Sequence, residues 1–330
     1  MLVRHNEALE ALVGNWPPID PAMLVKAPGM PIDSFARKAA MPPHSIDRVF
    51  RSETGDFIAI GCLPEGATDP TDTLFLAEFV RQGVETIART LLGMAPEDVF
   101  VLKTVDVKRA EDLAKAQIAG GAQAVIMLPK DGVRYRADGS AYAVDGPVYC
   151  YLSDQSAALL GGTVAFLKPE DYATLRGAPF SAGFGYPTGH VEPLFPSCVG
   201  RVRQTDVLIG RVHRHVGGVS ATMVPQYPQA YFDRPLDHYP GMMMAEAARQ
   251  LAVYATYLVR DVVPLQIQVG SIRMSFDSFA ELDTPPVLHA AVKRVRPGGQ
   301  TISVRVRQNR IERARFEIAT NFNTRRGGAS

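Results

Sequence analysis

Two long apolar stretches interrupted by the same polar side chains dominate the hydrophobic pattern of this chain. Residues 75–93 read FLAEFVRQGVETIARTLLG, and residues 237–261 read DHYPGMMMAEAARQLAVYATYLVRD. Both contain A-E-x-x-R-Q, in two copies 168 residues apart: Glu78, Arg81 and Gln82, then Glu246, Arg249 and Gln250. Positions i, i+3 and i+4 share one helical face. The pattern predicts two helices that belong to two copies of one unit.

Each predicted helix lies between segments with a strand pattern. Residues 47–66 (DRVFRSETGDFIAIGCLPEG) and 205–228 (TDVLIGRVHRHVGGVSATMVPQYP) precede the helices, and each has two apolar runs around a glycine-containing turn. The β-rich segments VFVLKTVDV and LQIQVGSIRMSF follow the helices. Each half is therefore expected to consist of strands, one long helix and more strands.

The final strand pair, TISVRVRQNRIERARFEIATNF at residues 301–322, shows the clearest alternation. Apolar residues such as Ile302 and Val304 alternate with polar ones such as Ser303 and Arg305, before a turn near Gln308–Arg310. Such alternation is typical of an antiparallel sheet with one face on a core and the other in water. Residues 147–167 have the same place in the first half less clearly, after a turn-rich hairpin at 129–147.

The predicted fold is α+β, with an antiparallel sheet curled around a helix in each half. We expect four segments: an N-terminal extension at 1–40, a first domain at 41–176, a linker rich in proline and glycine at 177–196 and a second domain at 197–330.

Composition indicates a globular protein with a reduced interior. The 330 residues are 46% hydrophobic and 21% charged, and no apolar run reaches the roughly 20 residues that a membrane span needs. The first residues lack a signal-peptide pattern. Cys62, Cys150 and Cys198 are odd in number and widely spaced, which favours free thiols and a cytoplasmic location.

The charge is unevenly distributed, although the net charge is only +1. Residues 291–330 hold ten Lys and Arg against Glu312 and Glu317. Such a segment suits an acidic partner, namely a nucleic acid, a phosphate or an acidic carrier protein, or it is a solvated sheet face. Nucleic acid is disfavoured because aromatic residues are not interleaved with the arginines and no DNA-binding motif is present.

The helix entry HYPGMMMAEAARQ resembles the opening of the central helix in β-hydroxyacyl-carrier-protein dehydratases, which have the hotdog fold. With YFDRPLDH before it and TDVLIG upstream, the chain more closely resembles the A-factor biosynthesis hotdog family, and DPTDTLFLAEFVRQG resembles that family's N-terminal repeat. The resemblance covers roughly residues 38–325. It implies a tandem double hotdog whose two helices pack as a pseudo-dimer, in a monomer or a homodimer.

The resemblance also implies an activity. Members of the family resemble acyltransferases that join a 3-oxoacyl chain, delivered on an acyl carrier protein, to the hydroxyl of dihydroxyacetone phosphate. The ester leads to γ-butyrolactone, butenolide or furan signals that control secondary metabolism. No cofactor is expected, because the thioester already carries the activation.

The second copy supplies residues suited to acyl transfer. The amides of Gly241 and Met242 at the helix N-terminus are candidates for holding an oxyanion. Glu246, among apolar neighbours, is expected to have a raised pKa and to act as a general base. His238, oriented by a carbonyl group or by Asp237, is the other candidate base. Residues 242–244, all methionine, suit an acyl-chain lining or plain core.

Basic and amide side chains are candidates for binding the substrate. Arg249 either pairs with Glu246 or holds the acceptor's phosphate, and Gln250 shares its face. Alternatively, Glu246 and Arg249 form a purely structural ion pair, which recurs because the unit is duplicated. The remaining candidates for contact with the phosphate are Arg273, Arg81 and Lys103.

The first copy has no histidine in GATDPTDT before its helix, but it keeps Glu78 and Arg81, which leaves open a contribution across the pseudo-dimer. If one copy alone is catalytic, we expect it to be the second, which has the Pro–Gly helix entry. His213 and His215 have no third ligand at metal spacing, and no phosphate-binding loop, G-x-G-x-x-G or G-x-S-x-G occurs. Two competing hypotheses are a thioesterase or dehydratase acting on acyl thioesters, and a non-catalytic acyl-binding protein.

Overall fold

The chain folds into two compact units, Met1–Leu175 and Arg176–Ser330, in the computed structural model. Most of the predicted extension at 1–40 and part of the predicted linker lie outside the described residues. The described residues are 30–31, 46–63, 72–110, 113, 122–152, 155–177, 184–225 and 235–322.

The first unit is an antiparallel sheet around one long helix, α1 (Thr73–Leu91). The strands follow the order β1-β2-β3-β5-β8-β9-β4, with β7 pairing β6 and β9. Their bounds are β1 Met30–Pro31, β2 Ile46–Arg51, β3 Phe57–Cys62, β4 Val99–Arg109, β5 Gln123–Leu128, β6 Val133–Tyr135, β7 Ala141–Asp145, β8 Val148–Leu152 and β9 Gln155–Leu167. A short helix, α2, covers Pro169–Arg176. The predicted hairpin at 129–147 contains β6 and β7.

Helix α1 packs directly on the sheet through buried apolar side chains and one glycine. Leu76, Phe79 and Ile87 are fully buried on it. At Gly83 an added Cβ would lie only 2.2 Å from Cδ1 of Ile126 on β5. Glycine at this position therefore lets the strand approach the helix closely.

The second unit repeats the arrangement around α3 (Gly241–Arg260). Its antiparallel strands follow the order β12-β15-β14-β13-β11-β10. Their bounds are β10 Ile209–His215, β11 Gly218–Met223, β12 Gln268–Phe276, β13 Val287–Arg296, β14 Gly299–Gln308 and β15 Ile311–Asn321. Short 3-10 turns cover Pro196–Val199, Gln204–Asp206 and Pro264–Gln266.

The last strand pair confirms the prediction made from its alternation. Ile302 and Val304 on β14 are buried against α3, while Arg305 on the same strand is exposed. Asn309 and Arg310 form the turn with φ values of 52° and 66°. The predicted α+β hotdog arrangement, a sheet around one long helix, is confirmed. The pseudo-dimer packing of the two helices stays a prediction.

The described part of the predicted linker belongs to the second unit. Gly185 forms a β-bridge with Leu236, and the amide of Leu194 donates to the carbonyl of Ile209 at 3.0 Å. An added Cβ on Gly210 would lie 2.0 Å from the carbonyl oxygen of Glu192, so this path requires glycine at position 210. None of the described helices is long and apolar enough to cross a membrane.

Candidate functional site

The carboxylate of Glu246 is held between two arginines. Arg249, one turn further along α3, donates from Nε to Oε2 at 2.8 Å and from Nη2 to Oε1 at 3.1 Å. Arg201, after the 3-10 turn Pro196–Val199, donates from Nε to Oε1 at 2.8 Å and from Nη2 to Oε2 at 2.6 Å. Glu246 and Arg249 are buried, and the side chain of Arg201 is 28% exposed.

This environment contradicts the predicted chemistry of Glu246. Burial alone raises the pKa of the carboxyl group, but the charges of Arg201 and Arg249 outweigh it and hold the pKa at about 2. The expectation of a raised pKa was therefore wrong. A carboxylate so firmly ionised, with both oxygens occupied by guanidinium groups, is a poor general base near neutral pH.

Gln250 ties the segment before β10 to the helix. Its Nε2 donates to Oε1 of Glu246 at 2.6 Å and to the carbonyl of Asp206 at 2.7 Å, and its Oε1 accepts from the amide of Leu208 at 2.8 Å. The side chain is completely buried. Both ends of the predicted substrate-binding amide are thus bound to the protein itself.

The first unit contains the same cluster with a different outer partner. Arg81 donates from Nε and Nη2 to the two carboxylate oxygens of Glu78 at 2.8 and 2.7 Å, and Gln82 donates to Glu78 at 3.0 Å. Arg81 also binds Glu85 at 2.9 Å, whereas the position equivalent to Glu85 in α3 is Val253. The recurrence of this geometry in both units supports the structural reading of the A-E-x-x-R-Q pattern.

A second polar cluster lies at the entry of α3. Nδ1 of His238 is 2.7 Å from Oδ1 of Asp237, and the histidine side chain is 24% exposed. Arg176 donates from Nε to Oδ2 of Asp237 at 2.8 Å and from Nη2 to the carbonyl of the same residue at 2.8 Å. An ionised carboxylate only accepts, so Nδ1–H donates and the lone pair stays on Nε2.

The two central helices begin differently. Oδ1 of Asp72 accepts hydrogen bonds from the amides of Leu74 (2.9 Å) and Phe75 (3.1 Å), which closes the N-terminus of α1. Helix α3 follows Pro240 and has no side-chain cap. Its first helical bond runs from the amide of Met244 to the carbonyl of Pro240, so the amides of Gly241 and Met242 have no partner within the helix.

The residues around this helix entry are tightly packed. An added Cβ on Gly241 would lie 3.1 Å from ring atoms of Phe276, so that ring takes the space that glycine leaves. Met242 and the two methionines after it are buried. Tyr239 is fully buried, and its hydroxyl has no hydrogen-bond partner among the described residues. Burial and the charge of Asp283 raise the pKa of Tyr239, so its hydroxyl stays a proton donor.

The remaining predicted phosphate-binding residues are Arg273 in the second unit and Lys103 in the first. Arg273 on β12 alternates with the buried Ile272 and Met274, so it lies on the face away from α3, and it binds Glu317 at 3.3 Å. Lys103 is exposed at an irregularity of β4 in the first unit. Among the residues that the structure describes, no three His, Cys, Asp or Glu side chains are placed to hold a metal ion.

Sequence reasoning missed three residues of these clusters: Arg176, Arg201 and Glu281. Glu281 accepts two hydrogen bonds from Arg176, each 2.8 Å long. Arg201 lies 45 residues before Glu246, and Arg176 lies 61 residues before Asp237. Neither belongs to a repeated or periodic pattern, so only the fold shows the contacts.

Residues 187–324 match the model of a protein family described as the A-factor biosynthesis hotdog domain. They include His238, Arg201 and the whole Glu246 cluster. This part of the chain is therefore similar to an A-factor biosynthesis hotdog domain. Sequence relatives extend beyond these residues into the first unit. A protein of Streptomyces griseus named 2-oxo-3-(phosphooxy)propyl 3-oxoalkanoate synthase is 29% identical over 279 residues, which is 83% of this chain and 82% of that one.

A second relative of the same name, from Streptomyces virginiae, is 29% identical over 65% of this chain and 69% of its own. Solved structures with a similar backbone include a trans-AT PKS dehydratase domain from Brevibacillus brevis (TM-score 0.49, 8% identity, 86% of this chain and all of that one). Another is the 12:0-ACP thioesterase from Umbellularia californica (TM-score 0.47, 8% identity, 81% and 94%).

Proposed function

We propose that the protein is an acyltransferase that joins a 3-oxoacyl group to the free hydroxyl of dihydroxyacetone phosphate. The name of the Streptomyces relatives describes this product, an ester between a 3-oxoalkanoate and a 2-oxo-3-(phosphooxy)propyl group. The observation that carries the proposal is the position of His238, which Asp237 orients directly before the uncapped N-terminus of α3. The ester is the expected precursor of a signalling molecule of the γ-butyrolactone, butenolide or furan type.

His238 is the base in this proposal. Nε2 accepts the proton of the acceptor's hydroxyl as its oxygen attacks the thioester carbonyl carbon. The C–S bond then breaks, and the proton passes from Nε2 to the leaving thiolate. The products are one ester and one thiol. The amides of Gly241 and Met242 stabilise the carbonyl oxygen while it carries negative charge.

Glu246, Arg249 and Gln250 support the site rather than perform the chemistry. Their hydrogen bonds join α3 to Arg201 and to the segment before β10. The catalytic role first expected for Glu246 is thus reassigned to His238, and the second unit is the one that reacts. Glu78 and Arg81 hold the equivalent structural position in α1.

The test of this proposal is the dependence of thiol release on the acceptor. Purified protein is mixed with a 3-oxoacyl carrier-protein thioester, and free thiol is titrated with and without dihydroxyacetone phosphate. We expect rapid release only with the acceptor. Equal release without it would mean that water is the acceptor and the protein is a thioesterase. No release in either case would contradict catalysis of acyl transfer.

The acyl donor is proposed to be bound to an acidic carrier protein, which docks near the β14–β15 turn. Arg310 lies in this turn and Arg307 lies near the end of β14, and both are exposed. Gln308, between them, donates to the carbonyls of Glu281 (2.6 Å) and Thr284 (2.5 Å). Glu281 in turn binds Arg176, so the basic turn lies at the same end of the unit as His238.

Reversing the charge of Arg307 is expected to weaken carrier binding selectively. In Arg307→Glu, KM for a carrier-bound thioester should rise about five-fold, and KM for a thioester of pantetheine alone should not change. Arg134→Glu in the first unit is the matched control, because both arginines are 47% exposed and each lies near one carboxylate. Added salt should raise the carrier KM of the unsubstituted protein. Equal effects of the two substitutions would contradict docking at this turn.

A further inference from the structure

The guanidinium group of Arg176 connects three segments that are distant in sequence. It is the last residue of α2, and its side chain is only 2% exposed. Both Asp237, before α3, and Glu281, between β12 and β13, accept two hydrogen bonds from it, all 2.8 Å long. Burial lowers the pKa of this group, but hydrogen bonds to Glu281 and Asp237 raise it above its ordinary value. Arg176 is therefore a permanent cation in this cluster.

The same cluster shares one aromatic ring with the candidate base. The guanidinium carbon of Arg176 lies 4.6 Å from the ring centroid of Phe279. The imidazole of His238 meets that ring edge-on, with 4.7 Å between ring centroids. Phe279 thus contacts both groups, and displacement of Arg176 would remove one side of the packing that surrounds His238.

Both carboxylate oxygens of Asp237 have a defined partner. Oδ2 accepts from Arg176, and Oδ1 accepts from Nδ1 of His238. The additional bond from Arg176 to the carbonyl oxygen fixes the backbone of Asp237 as well. A carboxylate held in this way cannot rotate, so it fixes both the tautomer and the ring plane of the histidine.

The net charge of the cluster favours the transfer of a proton to His238. At neutral pH Arg176 contributes one positive charge, and Asp237 and Glu281 contribute one negative charge each. The remaining negative charge is balanced when His238 takes up a proton.

We propose that Arg176 is a positioning residue for the reaction. It holds the Asp237 carboxylate in the orientation that directs Nε2 of His238 toward the acceptor's hydroxyl. This inference rests on the proposed function for its effect on rate, but its structural part, the fixed Nδ1–H bond of His238, is measurable without any substrate.

The experiment therefore combines a spectroscopic readout with a kinetic one. In the proton NMR spectrum, a protected low-field Nδ1–H signal is assigned to His238 by its loss in His238→Asn. The signal and kcat are then compared in the unsubstituted protein, Arg176→Gln and Arg136→Gln. Arg136 in the first unit is the matched control: it lies over an aromatic ring, as Arg176 does, and donates two hydrogen bonds of 2.8 Å, both to carbonyl oxygens.

Arg176→Gln should lose the signal, and its kcat should fall about 10- to 100-fold with KM within about two-fold, because orientation acts mainly in the transition state. Arg136→Gln should keep both the signal and kcat. Arg176→Lys keeps the positive charge but not the planar guanidinium group that donates on two sides. Its signal intensity and kcat should be intermediate, and it serves as the test if Arg176→Gln does not fold.

Two results would overturn the inference. One is a folded Arg176→Gln protein whose signal and kcat are unchanged. The other is absence of the signal from the unsubstituted protein. If ester is never formed while the signal depends on Arg176 as expected, the proposed function fails and the positioning of His238 by Arg176 stands.

Discussion

The His238→Asn variant is expected to lose about 10²- to 10⁴-fold in kcat for ester formation while remaining folded, which is the usual contribution of a positioned general base. Asparagine retains an N–H group near the position of Nδ1, so it can still donate to Asp237. It has no counterpart of Nε2 and cannot take the hydroxyl proton. Product formation is measured by mass spectrometry, and folding by thermal unfolding.

His190→Asn is the control for this substitution. Nε2 of His190 lies 3.7 Å from a carboxylate oxygen of Glu192, so a histidine–carboxylate pair of the same unit is removed at the surface. Its kcat should stay within about two-fold of the unsubstituted protein. A folded His238→Asn protein with full activity would show that another group accepts the proton.

Glu246→Gln should affect stability more than chemistry. The substitution leaves Arg201 and Arg249 facing each other around a neutral amide. Removing one partner of a buried ion pair costs about 3–5 kcal/mol, and we expect about 3 kcal/mol because Arg201 is partly exposed and can turn toward water. The unfolding temperature of the second unit should fall by about 10 °C. The kcat per folded molecule should change less than about three-fold, since Glu246 transfers no proton in this account.

The stability difference should also depend on pH. Folding lowers the pKa of Glu246 from 4.5 to about 2, so its ionised form contributes fully above about pH 4.5. The advantage of the unsubstituted protein over Glu246→Gln should shrink as the pH falls from 4.5 through 2. Glu317→Gln, whose carboxylate is 53% exposed and paired with Arg273, should cost less than about 0.5 kcal/mol. A stable Glu246→Gln protein without turnover would show that Glu246 is a catalytic residue.

Much of the fold could be predicted because it depends on local patterns. The alternation around Ile302 and Val304, and the two copies of A-E-x-x-R-Q, follow from strand and helix geometry alone. The firmly ionised state of the Glu246 carboxylate, paired with two arginines, could not be predicted in the same way. Its pKa depends not only on Arg249 but also on Arg201, which follows a 3-10 turn and reaches the helix only through the fold.

The candidate site was predictable only in part. His238 and Asp237 are adjacent in sequence, so their pairing could be proposed, whereas Arg176 and Glu281 join them only through the fold. One available signal was overlooked. Asp72 directly before Thr73 is a typical N-cap, and it indicates that the N-terminus of α1 is closed while that of α3, after Pro240, is not.

The central claim is that the second unit transfers an acyl group to a hydroxyl and not to water. The most direct measurement is mass spectrometry of the products formed in ¹⁸O-labelled water from a 3-oxoacyl carrier-protein thioester and dihydroxyacetone phosphate. The account predicts one 3-oxoacyl ester of the acceptor for each thiol released, with no ¹⁸O in its ester group. A free 3-oxo acid with ¹⁸O in its carboxyl group, formed at the same rate with or without the acceptor, would contradict it.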